Sequence, residues 1–166
     1  NPSEMFLAQR PANTPGSAVL CCLEGSRPLL VEVQALVSTS SYGNAQRTAN
    51  GLDRTRLSLL LAVLEKRAGL NLVAEDVFVN LAGGIEVEEP AADLAVIGAI
   101  ASSVRNRPIR ERTAVFGEIG LAGEVRLQLD QVAKGIGHCP PDRRNPGKFT
   151  MLVEHRKAQV RSLRHR

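Results

Sequence analysis

An α+β fold, with one sheet covered on one face by two helices in a split βαβ arrangement, is predicted by three features of this sequence. Apolar runs bounded by turn residues alternate with two stretches of helical periodicity, in the order hairpin, helix, strand, helix, hairpin. Each helical stretch keeps its large apolar residues on one side, so each has a single face to bury. The 166 residues, 43% of them hydrophobic, are enough for one domain of ordinary size with a real core.

The elements follow in chain order. Residues 1–16 carry three prolines and two asparagines around Met5-Phe6-Leu7 and read as a connector leaving a preceding domain. The apolar runs Ser17–Leu23 and Leu29–Val37 flank Glu24-Gly25-Ser26-Arg27-Pro28, whose turn chemistry predicts an antiparallel hairpin that ends in the loop Ser38–Ser41. Asp53 is placed to cap a helix that buries Leu57, Leu60, Leu61 and Leu64 and stops at Gly69. Val77–Leu81, rich in β-branched residues, is a strand that stops at Gly83-Gly84. Pro90 suits the first turn of a second helix, which runs through Leu94, Ile97, Ala101 and Val104 to a stop at Arg105-Asn106-Arg107-Pro108. Thr113–Ile119 is a further strand, turned by Gly120-Leu121-Ala122-Gly123 into Glu124-Val125-Arg126. Beyond Leu127 the glycines and prolines at 135, 137, 140, 141, 146 and 147 end the periodicity, and 127–166 reads as an irregular basic tail.

Composition narrows the function classes. The net charge of +4 is uneven: residues 1–126 hold 12 Lys and Arg against 14 Asp and Glu, whereas 127–166 hold 9 against 3. The excess sits in the tail and says little about what the folded body binds. Of the three cysteines, Cys21 and Cys22 are neighbours in a strand run and point to opposite faces; no CxxC pair exists, and they read as structural thiols. No apolar stretch approaches the roughly 18 residues needed to cross a bilayer, and Asn1-Pro2-Ser3-Glu4 lacks the basic start of a signal peptide, so a soluble, unexported protein is expected.

Few residues carry obvious chemistry. No GxxxxGK[ST] loop is present to cradle a triphosphate. The three histidines, His138, His155 and His165, all fall in the irregular tail, and none is placed beside a candidate nucleophile on a regular element. Glu86, Glu88 and Glu89 invite a paired-acid or divalent-metal reading, against which stands a solvated rim at a helix N-terminus, where the dipole favours negative charge; the rim is the preferred reading, and no metal site is assigned. Arg47, Arg54 and Arg56 flank the first helix start, and Arg105, Arg107, Arg110 and Arg112 crowd the end of the second; such forks suit phosphate, surface charge or subunit contacts. One Tyr, four Phe and no Trp leave little to stack single-stranded bases.

Four segments, in order, resemble one family. They are Gly25-Ser26-Arg27-Pro28 through Val37, Gly51-Leu52-Asp53-Arg54 leading to Leu60 through Arg67, Glu89-Pro90-Ala91-Ala92-Asp93-Leu94-Ala95, and Phe116-Gly117-Glu118-Ile119-Gly120-Leu121-Ala122-Gly123-Glu124-Val125-Arg126. Together they resemble the C-terminal, Lon-protease-like domain of the RadA (Sms) family of bacterial recombination and DNA-repair ATPases, and the opening Asn1–Leu7 is similar to the segment that leaves the ATPase core there. Glu89, Pro90, Asp93, Gly117, Glu118, Gly123 and Glu124 are the motif residues that carry the likeness.

The resemblance implies a Lon proteolytic-domain-like fold over 17–126 and a bacterial, cytoplasmic setting. It implies that the zinc finger and the ATP and magnesium site lie upstream, so that this chain holds no cofactor of its own. Lon-type peptidases use a Ser-Lys dyad. The serine's place is taken by Ala91 and the lysine's falls near Val132, with Lys134 the nearest ammonium. A methyl group cannot attack a carbonyl, so no enzymatic activity is expected. What the family implies instead is a hexameric ring and DNA handling during homologous recombination. The expected role is therefore a scaffold and DNA-association domain, with Arg47, Arg54 and Arg56 as the candidate DNA contacts beside the Asn50-Gly51 loop. A purely structural, ring-forming module stands beside it, and an active Ser-Lys peptidase behind both. The family continues past Arg126 with an amphipathic helix and a strand; the divergent 127–166 is read as disordered or as the product of a deletion or a frameshift.

Overall fold

In the computed structural model, which describes residues 13–24, 27–41, 43–110, 113–126 and 150–152, the first two apolar runs pair as expected. Strands β1 (Ser17–Glu24) and β2 (Arg27–Thr39) form an antiparallel hairpin with Ser17 opposite Gln34 and Glu24 opposite Arg27. Gly16, at the end of the expected connector, already belongs to the domain: it is buried, its N–H donates to Ser102 Oγ at 3.0 Å, and its carbonyl accepts from Ala35 N at 2.7 Å.

A short strand that the periodicity did not announce, β3 (Arg47–Asn50), precedes the first helix, and β4 (Glu75–Leu81) follows it, parallel to β3 and antiparallel to β2. Arg47-Thr48-Ala49-Asn50 has no apolar run of its own; β4 supplies the ladder that makes it a strand. Helix α1 (Arg54–Val63) starts where the sequence reading places it. Asp53 is its N-cap, with extended dihedrals and a side chain that accepts from Arg56 N at 2.8 Å. The last turn, Leu64–Ala68, widens to a π-helical turn, and Gly69 ends it with φ 67°, a left-handed conformation that glycine takes without strain. Leu57, Leu60, Leu61 and Leu64 are buried. At about 1.5–3 kcal/mol for each buried leucine, this face outweighs the roughly 1 kcal/mol of the cap.

Helix α2 (Asp93–Val104) follows a 3-10 turn, Pro90–Ala92, with Pro90 in the first turn as expected. The anticipated strand 113–119 is interrupted. It splits into β5 (Thr113–Val115), parallel to β1, and β6 (Glu118–Ile119), which pairs with β7 (Val125–Arg126) in a separate two-stranded hairpin around the expected Gly120–Gly123 turn. The break falls at Gly117, whose φ of 155° departs from ordinary strand geometry. In the stretch expected to be an irregular tail, Thr150–Leu152 forms β8, parallel to β5.

The large sheet has the order β3-β4-β2-β1-β5-β8, and among these strands only β2 runs against the rest. It is a mixed sheet with two helices, an α+β arrangement. The main core lies between one sheet face and the helices. Ala18, Leu20 and Cys22 of β1, Val31 and Val33 of β2, and Val77, Val79 and Leu81 of β4 meet Leu57, Leu60 and Leu64 of α1 and Val96, Ile97 and Ile100 of α2. The alternate residues face the other side, where Val19, Leu30 and Ala114 form a smaller cluster with Cys21. Cys21 and Cys22 thus point to opposite faces. Among the described residues no helix is long and apolar enough to cross a membrane.

Candidate functional site

The start of α2 draws together most of the residues singled out from the sequence. Pro90 and Ala91 occupy the 3-10 turn, and Ala91 is 5% exposed. Its carbonyl accepts from Gly117 N at 2.7 Å, and Leu94 N donates to Gly117 O at 3.0 Å, so the turn is stitched to the segment between β5 and β6. A Cβ at position 117 would stand 3.0 Å from Val125 Cγ1 and 3.4 Å from Leu94 Cδ2. Close approach and backbone conformation therefore both call for glycine there.

Asp93, 1% exposed, is the polar centre of this corner. Arg56 Nε donates to Asp93 Oδ1 at 2.8 Å while Arg56 Nη2 donates to Asp93 Oδ2, a two-pronged ion pair. Ile119 N donates to Asp93 Oδ2 at 2.9 Å, and Ile119 O accepts from Arg56 Nη2 at 3.2 Å. One carboxylate and one guanidinium thus tie the starts of α1 and α2 to β6. The hydrogen bond to Asp93 raises the Arg56 pKa above its ordinary value, against the opposing effect of burial.

Glu118 is half-buried and contributes to the field at Arg56. Gly123 and Glu124 lie in the β6–β7 turn. There the Glu124 carboxylate accepts from Ala122 N at 3.1 Å and Arg126 Nη2 at 2.6 Å. Its own backbone N–H, then Arg126 and the Ala122 N–H, hold this carboxyl below the usual glutamate range in spite of desolvation.

Beside the Arg56–Asp93 pair opens a cavity of about 680 Å³ between the β3–α1 loop and the segment leading to Pro90. Glu86, Glu88, Glu89 and Asp53 give its lining an acidic character, and Arg56 is the cation there. Among the described residues none of those lining the cavity is Ser, Thr, Cys, Lys or His, so they offer it no hydroxyl, thiol or amine nucleophile. Among the described residues no three His, Cys, Asp or Glu side chains converge as metal ligands.

The three arginines marked for DNA contact have different surroundings. Arg47 is half-buried: its guanidinium donates to the carbonyls of Glu75 and, at 2.8 Å, of Leu72, which fastens the loop before β4. Arg56 is spent on Asp93 and Ile119. Arg54 is exposed, with one hydrogen bond to Arg47 O at 3.3 Å. Arg105, Arg107 and Arg110 are exposed beyond the end of α2. Arg112, Val132, Lys134 and the three histidines lie outside the described residues.

Sequence reasoning missed the Arg56–Asp93 pairing and a row of polar side chains on the sheet face away from the helices. The row had a signal, since Glu32 and Gln34 alternate with Val31, Val33 and Ala35 in β2. The ion pair had none, because 37 positions separate its partners.

No protein-family model matches the chain. It is similar to proteins named DNA repair protein RadA from several bacteria: 53% identical over 133 residues to that of Halalkalibacterium halodurans, 52% over 126 residues to that of Bacillus subtilis, and 51% over 126 residues to that of Listeria monocytogenes. These matches cover 76–79% of this chain but 28–29% of the relatives, so the chain spans under a third of their length.

Proposed function

Because the chain belongs to the RadA family of bacterial DNA repair proteins, we propose that it is a scaffold and DNA-association domain of a RadA-type recombinational repair protein, with a Lon-like fold and no peptidase activity. The observation that carries this reading is the corner at Ala91. A methyl group stands where acyl transfer would need a nucleophile, and the neighbouring polar groups, Asp93, Arg56 and the Gly117 amide, are already joined to one another and to the backbone. Such a corner is built to hold the fold together.

Large apolar side chains available for self-association are Val73 (71% exposed) before β4, Leu121 (65%) at the β6–β7 tip and Leu36 (61%) on the open sheet face. The DNA contact rests on Arg54 and on Arg105, Arg107 and Arg110 as exposed guanidinium groups. A second reading, a ring-forming module without DNA contact, is favoured by the internal engagement of Arg47 and Arg56 and by the acidic lining of the cavity beside them.

Light scattering after size exclusion, followed by DNA binding at two salt concentrations, separates the two. The proposal expects an oligomer whose DNA affinity falls with salt and drops on Arg54→Ala. An oligomer with no DNA affinity selects the second reading, and affinity lost only on removing 127–166 assigns the contact to that segment. The same preparation is expected to leave a fluorogenic peptide uncleaved, and Ala91→Ser is expected to stay inactive because, among the described residues, no Lys or His lines the cavity to complete a dyad; turnover by the parent chain overturns the non-peptidase reading.

A further inference from the structure

The sheet face away from the helices carries a polar row that the proposed function does not use. Asn50 of β3, Asn80 of β4, Gln34 of β2 and Ser17 of β1 stand opposite one another across four adjacent strands. Asn50 Nδ2 donates to Asn80 Oδ1 at 3.2 Å, Asn80 Nδ2 to Gln34 Oε1 at 3.1 Å, and Gln34 Nε2 to Glu32 Oε2 at 3.1 Å, while Ser17 Oγ donates to Glu32 Oε1 at 2.6 Å. The direction is set at one end. Glu32 Oε2 accepts from the Gln34 NH2, which leaves the Gln34 oxygen to Asn80 and the Asn80 oxygen to Asn50. Asn50 is last in the row and has to be a donor.

The next residue is Gly51, with φ 78°, and a Cβ there would stand 2.3 Å from Ile85 O and 3.0 Å from Leu81 Cβ. Only glycine fits. Two separate demands of the fold therefore write Asn-Gly at 50–51, a pairing in which no side chain shields the backbone nitrogen that follows the amide. Asn50 is exposed and lines the mouth of the acidic cavity.

We propose that Asn50 is a site of spontaneous deamidation, and that the polar row makes the fold sensitive to it. The Gly51 nitrogen gives its proton to a solvent base and bonds to Asn50 Cγ. The Cγ–Nδ2 bond then breaks, and ammonia leaves with a proton from solvent. Water opens the resulting succinimide at either carbonyl, giving aspartate or isoaspartate. The net change is one water taken up and one ammonia released, with no oxidant or reductant. The product carboxylate cannot donate, so it faces the Asn80 oxygen, which Glu32 holds in place through Gln34. It also adds a negative charge beside Asp53, Glu86 and Glu88 at the cavity. An isoaspartyl link lengthens the backbone by one carbon where β3 is in register with β4.

The test is to hold the full chain in mildly alkaline buffer at physiological temperature and map tryptic peptides over time. Peptide 48–54 contains Asn50 as its only asparagine. It is expected to gain the mass of an amide-to-acid change, with isoaspartate detected, faster than peptides containing Asn44, Asn71, Asn80 or Asn106. Asn50→Gln is expected to abolish the change. Asn50→Asp, standing for the product, is expected to lower the melting temperature, whereas Asn71→Asp, outside the row, is not. If Asn50 stays unmodified, or converts no faster than the other asparagines, the site is overturned; if Asn50→Asp melts with the parent, the coupling to the row is overturned.

Discussion

Replacing Asp93 by alanine removes the acceptor of three hydrogen bonds at once, two from Arg56 and one from Ile119 N. The Ile119 amide is left in a buried setting, at about 1–3 kcal/mol for an unsatisfied donor. Removing one partner of a fully buried ion pair costs about 3–5 kcal/mol. Here the Arg56 side chain keeps 30% of its exposure and can turn partly to water, which lowers that figure. The two effects share the same lost carboxylate and do not add, so about 3 kcal/mol is expected for Asp93→Ala, or roughly 10 °C in Tm for a chain of this size. Arg56→Ala is expected to cost about as much, since it strands a carboxylate that is 1% exposed. Urea unfolding of the parent, both single variants and the double variant measures the coupling directly. The double variant should be at least about 1 kcal/mol more stable than the sum of the singles implies. A cost below about 1 kcal/mol for Asp93→Ala, or strict additivity, refutes the claim that this pair ties α1, α2 and β6 together.

Other expectations follow from single residues. Asp53→Ala removes the cap that accepts from Arg56 N and should cost about 1 kcal/mol in urea unfolding, with Asp53→Asn close to the parent. Gly117→Ala places a Cβ against Val125 Cγ1 in a backbone conformation suited to glycine and should cost about 2 kcal/mol; a neutral substitution there contradicts the described packing. Glu124 has a folded-state pKa below its unfolded one, so its contribution is present above the ordinary glutamate pKa and is lost as pH falls through the depressed value. An NMR titration of its side-chain carboxyl should give a midpoint below that of ordinary glutamate, and Arg126→Ala should move it back upward.

Local signals were the legible part. The β1–β2 hairpin, the cap at Asp53, the stop at Gly69, Pro90 at the second helix start and the Gly120–Gly123 turn all occur where neighbouring residues announce them. Strand β3 was not legible, because Arg47–Asn50 becomes a strand only by lying beside β4. The break at Gly117 was hidden for a related reason: the backbone turns aside there to exchange hydrogen bonds with Ala91 and Leu94, which lie more than twenty residues earlier. The arginines show the same limit. Residue type and spacing marked Arg47 and Arg56 as free forks, while the folded chain uses both on its own carbonyls and on Asp93.

By itself the sequence determined the β1–β2 hairpin, the two helices and the core of β4, which face of each is apolar, and that position 91 carries no nucleophile. These depend on periodicity, capping and residue chemistry, all of which act within a few positions along the chain. Only the tertiary structure decided that Asp93 would meet Arg56, that Asn50, Asn80, Gln34 and Ser17 would fall into one row, and that Gly51 would lie too close to Ile85 to bear a side chain. Those outcomes depend on strand register and on how the helices sit on the sheet, which are set by burial of the whole core and not by any neighbourhood of the chain.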